Sequence, residues 1–413
     1  MRFQALFPIF LAALFLAGCS DDSSSSGEKI CYPTAVSAYV LRPNDPAQND
    51  SAAAYLADGT LLIVSPGASY TLSFDADTTL DAPELQVFRL MSNSSGYYAQ
   101  YVKSVEGSLA DGRYVFEFTC SESVPLYWLT SLRGKGEDRY EGSVKNISFT
   151  GDGSYSSEFS INVIQLGSYE PTSDSITFDS LAHAIYESFK TSYSGVSIDT
   201  YYVSLAADHP TYGSLYPSTR AITVSYSSSE FYPELTTWDT KALSAALDIV
   251  IAYKIDEVGV LGYSAVFGMS MLDSGYSVVA ATNVSTYFGA EANSSESVVS
   301  TVTHEAGHFF GLRHTTATSS DILSEGDYSN VDDGIDDTPF CGGIIAVKSS
   351  GEVESGASDM IFLNRPRNRL AVASSYECPD ATNLMYPIEA DGAVELTDGQ
   401  QEIVTKNLTL LKH

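Results

Sequence analysis

Positive charge is what this sequence lacks most. Its 413 residues hold 21 Lys and Arg against 52 Asp and Glu, for a formal net charge of −31. A surface of that sign has little with which to neutralise phosphates, which sets aside nucleic acid and anionic lipid headgroups as partners. Long apolar runs are scarce too. The N-terminal stretch over residues 6–15 is almost wholly apolar, yet far short of the ~20 residues that a membrane-crossing helix needs. No internal repeat is visible. Cysteine and histidine are few, five and six respectively, so a cluster of either is informative. The remainder is 44% apolar, enough at this length to fill more than one core.

The N-terminus reads as an address. Arg2, the apolar residues 6–15 and then Leu16-Ala17-Gly18-Cys19 resemble a bacterial lipoprotein signal. The resemblance implies removal of residues 1–18 and acylation of Cys19, which would tie the chain to the cell envelope by lipid and make the anchor its only membrane contact. An ordinary secretory signal is the other reading. Ser20-Asp21-Asp22-Ser23-Ser24-Ser25-Ser26-Gly27 follows, and residues 19–31 are expected to be a flexible tether. The acidic pair Asp21-Asp22 looks like a surface-export signal and equally like solvated linker.

Four cysteines then remain, two early and two late. An even number in an exported chain suggests disulfides, and the grouping favours Cys31 with Cys120 and Cys341 with Cys378. Four free thiols are the alternative.

Residues 32–152 read as short β segments (60–64, 70–74, 85–90, 97–102, 114–118, 126–132 and 144–149) separated by Gly, Asp, Asn and Ser. Seven or so strands at that spacing predict an all-β sandwich, with no titratable cluster suited to chemistry. Gly151-Asp152-Gly153-Ser154 marks a joint, and residues 153–413 form a second, mixed α and β domain. There, 159–166 and 198–204 are expected strands, while 179–189 and 240–253 are expected helices. Residues 277–282 are a β segment, read either as a cleft edge or as an interior strand. Thr397-Asp398-Gly399-Gln400 matches a capping box and opens a helix expected to run to about residue 411.

The segment that carries chemistry is His304-Glu305-Ala306-Gly307-His308-Phe309-Phe310-Gly311-Leu312-Arg313-His314. On a helix His304 and His308 stand one turn apart, two imidazoles on one side. With His304 at zero, Val298, Val299, Val302, Ala306, Phe309 and Phe310 fall between about 120° and 240°, and His308 near about 40°. The apolar face is thus opposite the histidines. Gly311 can take a positive φ, leave the helix and bring back His314 as third ligand. Three imidazoles leave a fourth position for water on one catalytic zinc ion, and Glu305 is the general base.

This pattern is that of the metzincin zinc endopeptidases, and Asn383-Leu384-Met385-Tyr386-Pro387 resembles their methionine turn. The resemblance makes Met385 an apolar floor beneath the metal and implies an α+β catalytic domain, a twisted mixed sheet plus the active-site helix, preceded by the sandwich. Within the clan the chain is most similar to the pappalysin-like peptidases, through His314-Thr315, Asp336-Asp337-Thr338-Pro339, the flanking Cys341 and Cys378, and the Thr397 capping box. Calcium is structural in that family, and Asp336, Asp337 and Thr338 lie in a carboxylate-rich loop, which is read as a calcium site or as a solvated acidic loop. Tyr386 follows Met385 directly, as in matrixins, whereas Glu389 stands where that family has a pocket tyrosine. The expected activity is hydrolysis of peptide bonds in extracellular proteins. The competing class is a surface adhesin or scaffold with a vestigial zinc domain.

Overall fold

A computed structural model describes residues 40–41, 43–44, 60–76, 82–93, 96–121, 125–129, 146–152, 158–226, 246–264, 277–315, 335, 337–338, 362–365, 369–372, 380, 382–386 and 395–407. Two compact units divide between Ser157 and Glu158. Among the described residues no helix is long and apolar enough to cross a membrane.

The first unit is all β in its described part. One sheet is ordered β1 (Val40–Leu41), β2 (Thr60–Leu62), β8 (Pro125–Leu129), β4 (Leu85–Asn93), β5 (Gly96–Val105). The other is β6 (Ser108–Ala110), β7 (Arg113–Thr119), β3 (Ser69–Asp75), β9 (Ser148–Gly151). Strand β3 shows why they form: Tyr70, Leu72 and Phe74 alternate with more exposed Ser and Thr, the period of two that buries one face of a sheet. Both sheets feed one apolar cluster, with Leu62, Leu85, Val87, Tyr127 and Leu129 from the first and Tyr70, Leu72, Phe74, Phe116 and Phe149 from the second. Phe118 of β7 stacks on Tyr127 of β8 with centroids 4.7 Å apart, joining the two layers directly.

The second unit holds a mixed sheet in the order β11 (Ser197–Leu205), β10 (Glu158–Gln165), β13 (Ala246–Val258), β15 (Val278–Thr286), β14 (Gly262–Tyr263). The first four run parallel, while β14 and β16 (Gly289–Ala292) lie antiparallel on β15. A short β12 (Thr223–Val224) pairs in parallel with the far end of β13. Helix α1 (Phe178–Ser192) starts at the Thr177 cap, whose Oγ1 accepts from Ser180 N at 3.2 Å, and buries Phe178, Leu181, Ile185 and Phe189 along one face. Helix α2 (Ser295–Phe309) packs against α1 and β15. Helix α3 (Asp398–Asn407) opens on the expected capping box: Gln400 N donates to Thr397 Oγ1 at 3.2 Å and Thr397 N to Gln400 Oε1 at 3.0 Å.

Two expectations change. The helix anticipated over residues 240–253 is instead strand β13 from Ala246, with residues 240–245 outside the described set. Its apolar run is nearly continuous, a pattern common to a buried helix and a parallel strand covered on both faces; the β-branched Ile249, Val250 and Ile251, seated between β10 and β15, settle it as strand. The segment at 277–282 is interior, since β13 takes one edge of β15 and β14 and β16 take the other. The short edge strands on that side are β14 and β16.

Candidate metal centre

Helix α2 is built to deliver its last turn. Ser294 caps its start, with Oγ accepting from Ser297 N at 3.1 Å, and Asp174 accepts Ser295 N at 3.0 Å. At the other end Gly311 takes φ 100°, its N bonds to His308 O at 2.9 Å, and Leu312 N bonds to Gly307 O at 2.9 Å. This Schellman pair satisfies carbonyls the helix leaves open and turns the chain back. His314 therefore returns beside His304 and His308.

The three Nε2 atoms converge. His314 Nε2 lies 3.2 Å from that of His304 and 3.1 Å from that of His308. Each helical imidazole is oriented by a main-chain carbonyl: His304 Nδ1 donates to Leu384 O at 2.6 Å, and His308 Nδ1 to Leu312 O at 2.8 Å. A carbonyl can only accept, so both protons sit on Nδ1 and both Nε2 lone pairs face the centre. Burial pushes His304 down to about 4 and, with His304 nearby, His308 to about 3. His314 falls well below the ordinary range, first through burial and then through its two neighbours. All three rings are neutral at pH 7, the form that ligates a metal, and three converging lone pairs, with His308 buried and His304 and His314 half-buried, fit a cation at their focus.

Glu305 is 9% exposed and follows His304 directly in the chain. It receives a backbone hydrogen bond from Ser264 at the end of β14, while Oε2 is buried without a partner. Burial raises the carboxyl to about 8. Strand β14 runs tight against α2 here: a Cβ on Gly262 would stand 2.6 Å from Thr301 Cγ2 and 3.1 Å from Glu305 Cγ.

Met385 is fully buried under α2, and its Sδ would lie 2.3 Å from any Cβ at residue 307, so Gly307 is needed for the turn to seat. The turn is shaped by Asn383, whose Oδ1 accepts Met385 N at 2.8 Å and whose Nδ2 donates to Gln400 Oε1 at 2.7 Å. Thr315 N donates to Met385 O at 3.1 Å, and Thr315 Oγ1 to Asp380 Oδ2 at 2.7 Å. Asp380, the Leu384 carbonyl as a partner of His304 and the shaping role of Asn383 escaped the sequence reading. The sequence placed Asn383 at the head of the methionine-turn run and Gln400 in the capping box, but not the bond between them. Tyr386 is buried, and burial with the nearby Asp380 pushes its phenol upward.

Asp337 serves α3, accepting Gly399 N at 2.8 Å and Thr397 Oγ1 at 2.9 Å. Thr338 Oγ1 is buried with no partner. Cys120 is buried in the first unit's core. Cys19, Cys31, Asp336, Cys341, Cys378 and Glu389 lie outside the described residues.

Residues 175–352 match the family model described as metallo-peptidase family M12. The matched span contains the three histidines, Glu305 and Gly311, so family and geometry agree on a metallopeptidase. Among solved structures, one described as mirolysin in complex with compound 9 is similar at 17% identity, over 60% of this chain and 91% of that one, with a TM-score of 0.31. An acetyl xylan esterase (Est2A) from the rumen bacterium Butyrivibrio proteoclasticus follows at 12% identity, 69% and 76% coverage, and a TM-score of 0.12. At those scores neither likeness bears on this chain's chemistry. No curated protein matches it in sequence.

Proposed function

We propose that the chain is a zinc-dependent endopeptidase of the metzincin type that hydrolyses peptide bonds of extracellular proteins, with Glu305 as general base. The observation that carries this reading is three converging Nε2 atoms, with the residue next to His304 holding a buried carboxylate oxygen that has no partner of its own. Three imidazole donors suit zinc and leave a fourth position open, which separates a catalytic site from a closed structural one. A bound zinc ion polarises a carbonyl and lowers the pKa of a coordinated water towards about 7.

The protein's own groups do the rest. His304, His308 and His314 would hold the ion, oriented by the Leu384 and Leu312 carbonyls. Glu305, near 8 in the metal-free site, is drawn towards its ionised form by a neighbouring positive charge. Oε2 is then ready to take a proton from the attacking water and pass it to the leaving amine. Met385, buried against Gly307 of α2, would give the site an apolar floor.

The Asp336 to Pro339 run, Thr315 and the Thr397 capping box support a pappalysin-like affiliation. The sequence from Arg2 to Cys19 supports lipid anchoring at the bacterial cell envelope, where extracellular proteins are within reach. The deciding experiment compares Glu305→Ala with wild type, both zinc-loaded, on a mixed peptide library. Cleavage by wild type alone is expected; equally poor cleavage by both would remove hydrolysis from consideration.

A further inference from the structure

The end of α1 meets the metal-binding helix at one buried side chain. Tyr193, fully buried, follows the last residue of α1, and its N donates to Phe189 O at 2.9 Å. Its ring stands edge-on to Phe310, centroids 5.1 Å apart, and to Phe189 at 5.4 Å. Its hydroxyl donates to the carbonyl of Thr303, the residue before His304. A carbonyl has two lone pairs, so this bond adds to the helical one. One turn on, a Cβ at Gly307 would be 3.4 Å from the Tyr193 hydroxyl and 2.3 Å from Met385 Sδ, so phenol and thioether reach the same bare spot on α2.

From there the contacts close on themselves. Met385 belongs to the turn shaped by Asn383, Asn383 is held by Gln400 of α3, and the next residue, Gln401, donates Nε2 to Ser192 O at 2.5 Å, one residue before Tyr193. Gly195 meets Thr405 of α3 so closely that a Cβ would lie 2.3 Å from its Oγ1. The Leu384 carbonyl that orients His304 is carried inside this ring.

We propose that Tyr193 is a positioning residue of the three-histidine centre: through the Thr303 carbonyl and the Gly307 contact it sets the depth of the methionine turn and so holds the Leu384 carbonyl on His304. The proposal rests on the metal-site reading of His304, His308 and His314. A ring packed among Phe189 and Phe310 needs no hydroxyl for its apolar contacts. The hydroxyl instead reaches the backbone of the ligand helix; loss of a direct hydrogen-bond partner of a ligand typically costs about 10–100-fold in metal affinity, and Tyr193, acting one contact further out, belongs at the low end of that range.

The test uses the full chain, with zinc affinity read by competition against a chromogenic chelator and geometry read from the visible absorption of the cobalt(II)-substituted protein. Tyr193→Phe, which keeps the ring, is expected to weaken zinc binding about tenfold and to shift the cobalt bands. Gln401→Ala, which opens the ring of contacts at its other end, is expected to weaken it by a smaller factor. Wild-type affinity and an unmoved cobalt spectrum in whichever variant folds would overturn the proposal, even with a lowered melting temperature, since that pattern is purely structural. Wild-type protein that binds zinc yet cleaves nothing would count against the peptidase and leave Tyr193 in its role.

Discussion

The two units bury different kinds of side chain. Among the described residues, the buried Asn, Gln, Ser, Thr, Asp, Glu and His side chains from Asn162 to Gln400 belong to the second unit, while the first unit's core is mainly apolar and aromatic. Burying a polar group is costly unless it is paired, and burying an ionisable one shifts its pKa instead. The first unit meets that cost at few places, as at Tyr70, whose hydroxyl accepts Ser65 N at 2.8 Å. In the second it is largely met by pairing, as in Asn162 with Asp248 at 2.8 Å and Thr315 with Asp380 Oδ2, and left unmet at several atoms, among them the carboxylate oxygen Glu305 Oε2. Such an uncompensated group, beside three neutral histidines, marks where folding has given way to chemistry.

The contrast can be broken or sharpened by experiment. Glu305→Ala should lower peptide hydrolysis by about 10²–10⁴-fold with zinc still bound, as measured by cleavage rate and metal content, whereas no substitution in the first unit's core should do so while the protein stays folded.

The next largest effect concerns pH in the metal-free protein. Folded Glu305 titrates near 8 against an ordinary value of 4.5, so between those limits the folded state keeps a proton that the unfolded state has lost. Its contribution to stability is complete below pH 4.5 and disappears as pH rises through about 8. Glu305→Gln should therefore gain on wild type across that window, approaching about 4 kcal/mol at its upper end by chemical denaturation. The histidines act oppositely. Their folded values lie below the ordinary 6.5, so their contribution is lost as pH falls from about 6.5 towards 4. A metal-free melting curve whose Glu305→Gln difference is flat from pH 5 to 8 would contradict the burial of this carboxyl.

In the first unit, Leu72→Ala should cost about 3 kcal/mol, read by denaturant unfolding, and leave zinc affinity unchanged. Smallest is Asn383→Ala. It should cost about 2 kcal/mol by loss of the bonds to Met385 and Gln400, but unlike Leu72→Ala it should also weaken zinc binding, measured by chelator competition. Equal behaviour of the two variants towards zinc would erase the distinction between the units.

Much of the site was legible because its geometry is local. His304 and His308 meet through the pitch of one helix, and His314 returns through one glycine, so eleven consecutive residues suffice. The opposition of apolar face and histidines is also visible, with Val298, Val302, Ala306, Phe309 and Phe310 all buried. Burial goes further than periodicity implied, since Thr301, Thr303, Glu305 and His308 are covered as well. Strand β13 was misread because a fully buried apolar run has no polar face from which a period can be taken.

The residue pattern by itself singled out the three histidines and the adjacent carboxylate, since these rest on fixed offsets within one segment and on which side chains can hold a metal; Met385 entered through a family resemblance. Only the tertiary structure decided that the carbonyl of Leu384, eighty residues away, sets the tautomer of His304. It also decided that the end of β14 encloses Glu305 and that Tyr193 reaches the ligand helix. Those contacts join segments distant in sequence, and they exist only once burial has brought polar groups together that must then find partners in one another.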